Sequence, residues 1–89
     1  MKTIRMIIKG KVQGVFFRAS AKKIADQLNI SGWIRNLPDR NVEIMASSSN
    51  EAVEKFIGWC RQGPPAAEVK EVIVEELPEE SFPGFRIKK

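Results

Sequence analysis

The sequence predicts an α+β fold of order β-α-β-β-α-β with a short extra strand at the end, an antiparallel sheet carrying two helices on one face. Three observations lead to it. Two segments, within 17–28 and 47–63, space their apolar residues by three and four as amphipathic helices do. The stretches around them alternate apolar and polar residues with the period of half-buried strands. Turn residues, Pro38-Asp39-Arg40-Asn41 and Gly63 before Pro64-Pro65, fall between these segments.

Taken in order, residues 3–9 (TIRMIIK) put Ile4, Met6 and Ile8 on one side and Arg5 and Lys9 on the other, a strand packed on one face. A glycine-bracketed stretch, GKVQGVFFR from Gly10 to Arg18, follows. From Phe17 to Leu28 the apolar positions are 17, 21, 24, 25 and 28, a helical stripe that Asn29 or Gly32 would end. GWIRNLP and NVEIMAS read as two short strands joined by the turn at Pro38–Asn41. SSSNEAVEKFIGWCRQG is the second helix: Ser48, three residues before Glu51, predicts a capping box. Its buried stripe is Val53, Phe56, Ile57 and Cys60, and Gly63 stops it. AEVKEVIVEEL is a strand with Val72 and Val74 on one face, and FRIKK is a short final strand. With 89 residues and no repeats or linkers, residues 1–89 are read as one domain.

Hydrophobic residues make up 43% and charged residues 29%, which suits a folded soluble chain rather than a disordered one. No apolar run approaches the roughly 20 residues needed to cross a bilayer, and no secretory signal opens the chain. The single cysteine, Cys60, cannot form an internal disulfide, so a cytoplasmic location is expected. Charge is uneven. Residues 1–35 carry eight basic residues against Asp26 alone, whereas residues 36–89 carry seven basic and ten acidic residues. A positive field in one half favours an anionic partner; a merely solvated basic face is the alternative.

Several chemistries are excluded. Without histidine there is no Ser-His-Asp triad, Cys-His pair or histidine metal ligand. One cysteine rules out CxxC motifs, and Gly10–Gly14 lacks the length and the Lys-Ser/Thr of a P-loop. Acidic residues near the basic stretch are almost absent, which argues against a Mg²⁺ site. The remaining candidate is the glycine-bracketed loop. Gly10 and Gly14 permit the backbone angles of a tight strand-to-helix connection, whose successive N–H groups can converge on an anion. The helix starting near Phe17 adds its positive end. Arg18 sits in that first turn, where a cation is unfavourable unless an anion lies between, and its planar fork matches phosphate oxygens. Asn36, on the face of its strand shared with Ile34, is either a turn residue satisfying local backbone groups or a neutral amide able to orient a water. Phe17, Phe56, Trp59 and Cys60 read as core, Trp33 as a residue that could fill space under the loop, and Lys22-Lys23 as a solvated helix face.

KGKVQGVFFR followed by SGWIRNLPD resembles the acylphosphatase family over essentially the whole chain. The family's first motif is matched by Gly10, Val12, Gln13, Gly14, Val15, Phe17 and Arg18. Its second, Gly-aromatic-small-basic-Asn, is matched by Gly32, Trp33, Arg35 and Asn36, with Ile34 larger than usual. Two positions depart from it: Arg40 and Ser48 stand where the family usually has glycine. Asn41 taking the left-handed conformation, with a shift of turn register, would accommodate the first. Phe16 occupies a variable position and bears on access to the loop.

The resemblance implies a ferredoxin-like α/β sandwich that hydrolyses acyl phosphates to a carboxylate and inorganic phosphate. It implies that Arg18 binds the phosphoryl oxygens, that Asn36 holds the attacking water, and that N–H groups of Lys11, Val12, Gln13, Gly14, Val15 and Phe16 surround the phosphate. No metal or cofactor is expected, and the partner is the small-molecule acyl phosphate, with no nucleic acid, no membrane and a monomer sufficient. Two alternatives stay open. One is a noncatalytic acylphosphatase-like domain. The other is an RNA-binding module, for which strands 3–9 and 41–48 lack the aromatic residues.

Overall fold

Ile4, Met6 and Ile8 sit at 0% exposure in the centre of the sheet, and the rest of the architecture is arranged about that row. The computed structural model describes residues 1–88. The elements are β1 (Lys2–Lys11), α1 (Phe17–Gln27), β2 (Ser31–Asn36), β3 (Val42–Ser48), α2 (Asn50–Gln62), β4 (Glu68–Leu77) and β5 (Phe85–Ile87). They form a five-stranded sheet of order β4-β1-β3-β2-β5 with both helices on one face.

β1 pairs antiparallel with β3 (Met6 opposite Ile44) and with β4 (Ile8 opposite Val72), and β2 pairs antiparallel with β3 (Ile34 opposite Ile44). The final strand differs from the expected all-antiparallel sheet: β5 joins β2 in parallel, Ile87 beside Ile34, so the sheet is mixed. The cause is the path of residues 78–84. They leave one sheet edge and cross the face opposite the helices to reach the other edge. On the way Ser47 Oγ donates to the Glu80 carbonyl at 2.8 Å, and the Glu80 N–H donates to Thr3 Oγ1 at 3.0 Å.

The predicted stripes are the core. Phe17, Ala21 and Ala25 of α1 and Val53, Phe56, Ile57 and Cys60 of α2 close over the sheet. Trp59 meets Phe17 edge-on at 5.4 Å and stacks over Phe56 at 6.4 Å. Cys60 is fully buried, and burial pushes its thiol far up, leaving it a small hydrophobe. Val72 and Val74 share the helix-side face, although Val74, on the edge strand, stays exposed.

Local details correct several expectations. Ser49, not Ser48, caps α2: Ala52 N–H donates to Ser49 Oγ at 3.2 Å. Ser48 is the last residue of β3, and its hydroxyl donates to the Asn29 carbonyl. Of the two residues placed at the end of α1, Asn29 ends it, at φ 56, with Ile30 N–H bonded to Ala25 O and Asn29 N–H to Asp26 O. Gly32 lies inside β2. In the β2–β3 turn the left-handed residue is Arg40 itself (φ 73), not Asn41, so the register does not shift. Asn41 is instead tied to the Asp39 carboxylate by its main-chain and side-chain N–H groups. Trp33 does not lie under the loop. It is on the opposite face, with Lys88 Nζ at 4.2 Å and the Arg35 guanidinium at 5.4 Å from its ring centroid. Among the described residues, no helix is long and apolar enough to cross a membrane.

Candidate active site

The connection from β1 to α1 is built around two constraints. At Gly10 (φ 127) any side chain would collide with the Glu68 carbonyl, because the register of β1 on β4 shifts between Lys9 and Gly10. Gly14 (φ 73) and Phe16 (φ 63) then take left-handed conformations that turn the chain into α1. Val12 and Val15 point inward and anchor the loop to the core, at 1% and 5% exposure.

This turn leaves donors free. Among the described residues, the main-chain N–H groups from Gln13 to Ala19 have no hydrogen-bond partner. Phe16 at the N-cap supplies no side-chain cap, and the first turn of α1 contains no acidic residue. A row of unpartnered donors at a positive helix end is a ready anion cradle.

Gln13, Gly14, Phe16 and Arg18 line a cavity of about 360 Å³ together with Asn36 at the end of β2. Val12, Phe17, Ala19 and Ile87 complete its wall. Arg18 forms no ion pair among the described residues. Asn36 Oδ1 is buried in this wall with no hydrogen-bond partner among the described residues. Such an acceptor costs on the order of 1–3 kcal/mol if nothing donates to it. The described residues contain no group of three His, Cys, Asp or Glu able to hold a metal.

The loop residues singled out in the sequence divide. Val12, Gln13, Gly14 and Phe16 line the cavity. Lys11 instead pairs with Glu68 in the β1–β4 ladder, and its side chain borders a neighbouring hollow with Arg40 and Lys70. Val15 packs inward.

The acylphosphatase family profile matches residues 4–87. The chain belongs to the acylphosphatase family. It is 50% identical over 86 residues to an acylphosphatase of Aeropyrum pernix, covering 94% of this chain and 85% of that one. It is 46% identical over 77 residues to one from Methylococcus capsulatus, covering 86% and 84%. The crystal structure of acylphosphatase from Bacillus subtilis superposes with a TM-score of 0.97 at 33% identity over 100% of both chains.

Two features of this acylphosphatase site were not legible as functional in its sequence. The Gln13 side chain donates to the carbonyls of Leu37 at 2.9 Å and Asn41 at 2.8 Å, clamping the loop to the β2–β3 turn. Ile87 enters the wall because β5 lies parallel beside β2. The motif marked Gln13 but not its partners; nothing in the sequence marked Ile87.

Proposed function

We propose that this chain hydrolyses acyl phosphates to a carboxylate and inorganic phosphate, with the phosphoryl group held by the loop N–H groups and Arg18 and the attacking water oriented by Asn36. An acyl phosphate is a mixed anhydride whose leaving group is a carboxylate of pKa about 4, so it departs without a general acid. Positioning and charge stabilisation therefore suffice. Arg18 and the loop donors neutralise charge on the equatorial oxygens and set phosphorus in front of Asn36. Water donates one hydrogen to Asn36 Oδ1, and its lone pair forms the new O–P bond. The bridging P–O bond breaks, its electron pair leaves on the carboxylate, and the proton of the water passes to a phosphate oxygen. Atoms and charge balance without a metal, a cofactor or a second subunit, so a cytoplasmic monomer is sufficient.

The observation that carries this reading is the buried, unpartnered Asn36 Oδ1 in the same cavity as an Arg18 without an ion-pair partner. One is an acceptor awaiting an O–H, the other a cation awaiting an anion. The test is phosphate release from benzoyl and acetyl phosphate, with and without chelator, in the parent and in Arg18→Ala. The parent is expected to turn over equally in both conditions. Arg18→Ala is expected to lose about a thousandfold or more of kcat/KM with an unchanged circular-dichroism spectrum. Retained activity in that variant refutes the assignment, and an inert parent supports a noncatalytic anion-binding domain.

A further inference from the structure

Phe16 is 80% exposed although its ring belongs to the cavity wall. Its backbone is left-handed, at φ 63 and ψ 22, a conformation that glycine or asparagine holds with less strain than a bulky aromatic residue. In the free protein the ring therefore recovers neither the strain nor the cost of its hydration by packing. Ile87 is the second large apolar residue on this wall that faces solvent, at 39% exposure. The described residues expose five large hydrophobic side chains. Three of them, Met1, Ile73 and Val74, belong to the N-terminal residue and edge strand β4; the other two meet at this one cavity. Arg18 is the only charged residue among those that line it.

That division of polarity has a chemical consequence. The cavity supplies a single cation and a row of amides for one phosphoryl group, and an uncharged apolar lip beside them. The acyl substituent is joined to phosphorus through one oxygen and one carbonyl carbon, so it cannot travel far from the phosphate cradle. We propose that Phe16 and Ile87 form an acyl subsite that selects apolar acyl groups, aromatic or branched, over small acyl groups and over acyl groups carrying a second anion. The inference rests on the hydrolytic reading above and names the substrate class of the same site. An apolar group covering Phe16 and Ile87 removes both from water, whereas an acetyl group is too small to cover both. A distal carboxylate lying against Phe16 and Ile87 would meet no second cation among the residues that line this cavity.

The experiment measures kcat/KM for benzoyl, acetyl and succinyl phosphate, each divided by its uncatalysed hydrolysis rate. In the parent, benzoyl phosphate is expected to lead both others by about tenfold, equivalent to ~1.4 kcal/mol. Phe16→Asn, which suits the left-handed backbone, and Ile87→Thr are each expected to reduce that lead, and the double variant to abolish it. The loss should lie in KM for benzoyl phosphate, since contacts with a non-reacting group act on binding. Phe16→Leu, equally strained but still apolar, is expected to keep most of the preference, which separates the side chain from the loop geometry. A parent with no preference, or a preference that survives the double variant, overturns the subsite while leaving hydrolysis intact. A parent that cleaves none of the three substrates overturns the hydrolytic reading and the subsite with it.

Discussion

Gln13 donates a side-chain hydrogen to the main-chain carbonyl of Leu37 at 2.9 Å, and its other amide hydrogen goes to Asn41 at 2.8 Å. Leu37 directly follows Asn36, so one amide couples the β1–α1 loop to the strand end that carries Asn36, the residue proposed to orient the water. Gln13→Met keeps the length of the side chain and removes both donors. It is expected to lower kcat by roughly 10- to 100-fold and to cost about 1–3 kcal/mol of stability, the scale of two hydrogen bonds. Each carbonyl keeps a second donor, Arg40 N–H on Leu37 O and Leu37 N–H on Asn41 O. Gln13→Glu, which turns a carboxylate toward two carbonyls, should be worse. Steady-state kinetics with thermal melts decide it; a Gln13→Met variant with parental kcat would show that the clamp does not position the site.

Asn36 should separate activity from stability. Removing a buried acceptor that has no internal partner relieves a desolvation cost. Asn36→Ala is therefore expected to melt at or above the parental temperature while kcat falls by about 10²–10³-fold, the scale of losing one oriented polar group at a reaction centre. A defect confined to KM would contradict the role, because the lost interaction belongs to the water and not to substrate binding.

Glu43 gives the fold an acid-sensitive joint away from the cavity. Its side chain is 5% exposed, and its two oxygens accept from Arg5 Nε and Arg35 Nε, each at 2.6 Å. Burial by itself would raise the carboxyl, but the hydrogen bonds from Arg35 and Arg5 and their charges together outweigh it and hold the pKa below the ordinary value. A carboxylate depressed in the folded state stabilises above its unfolded pKa, and that contribution is lost as pH falls through the folded pKa. Melting temperature is expected to decline below about pH 4.5, and Glu43→Gln to lower it at neutral pH and flatten the acid limb. An acid limb of unchanged steepness in Glu43→Gln would assign the effect to other carboxylates.

Arg40 holds φ 73 in the β2–β3 turn, a conformation costing a side-chain-bearing residue roughly 1–2 kcal/mol. Glycine adopts it freely but gives back part of that gain as unfolded-state entropy. Arg40→Gly is expected to stabilise by about 0.5–1 kcal/mol, a rise of several degrees in Tm for a domain of this size. Denaturant titration checks it; destabilisation would mean that the Arg40 side chain contributes more than its backbone costs.

Element identity was legible because it is written in local periodicity. The spacing of Phe17, Ala21 and Ala25, and of Val53, Phe56, Ile57 and Cys60, is buried as read, and the alternation of Ile4, Met6 and Ile8 faces the helices. The glycine-bracketed loop was equally local. Gly14, Phe16 and Arg18 lie within five consecutive residues, and the chain's own turn carries them to one cavity wall. The cap misassigned by one residue, Ser48 for Ser49, shows the limit of that reading, since adjacent serines offer the same hydroxyl and only the exit of β3 selects between them.

By itself, then, the sequence determined the order of helices and strands, the residues of the core and the make-up of the β1–α1 loop that lines the cavity, because each depends on neighbours within a few residues. The tertiary structure alone decided that β5 returns parallel to β2, that Ile87 joins the site, that Gln13 clamps the loop to Leu37 and Asn41, and that Glu43 is buried between Arg5 and Arg35. Each of these joins residues distant in the chain. A side chain reveals in sequence what it can donate or accept, but which carbonyl or charge it meets depends on strand pairing and on the path of residues 78–84 across the sheet.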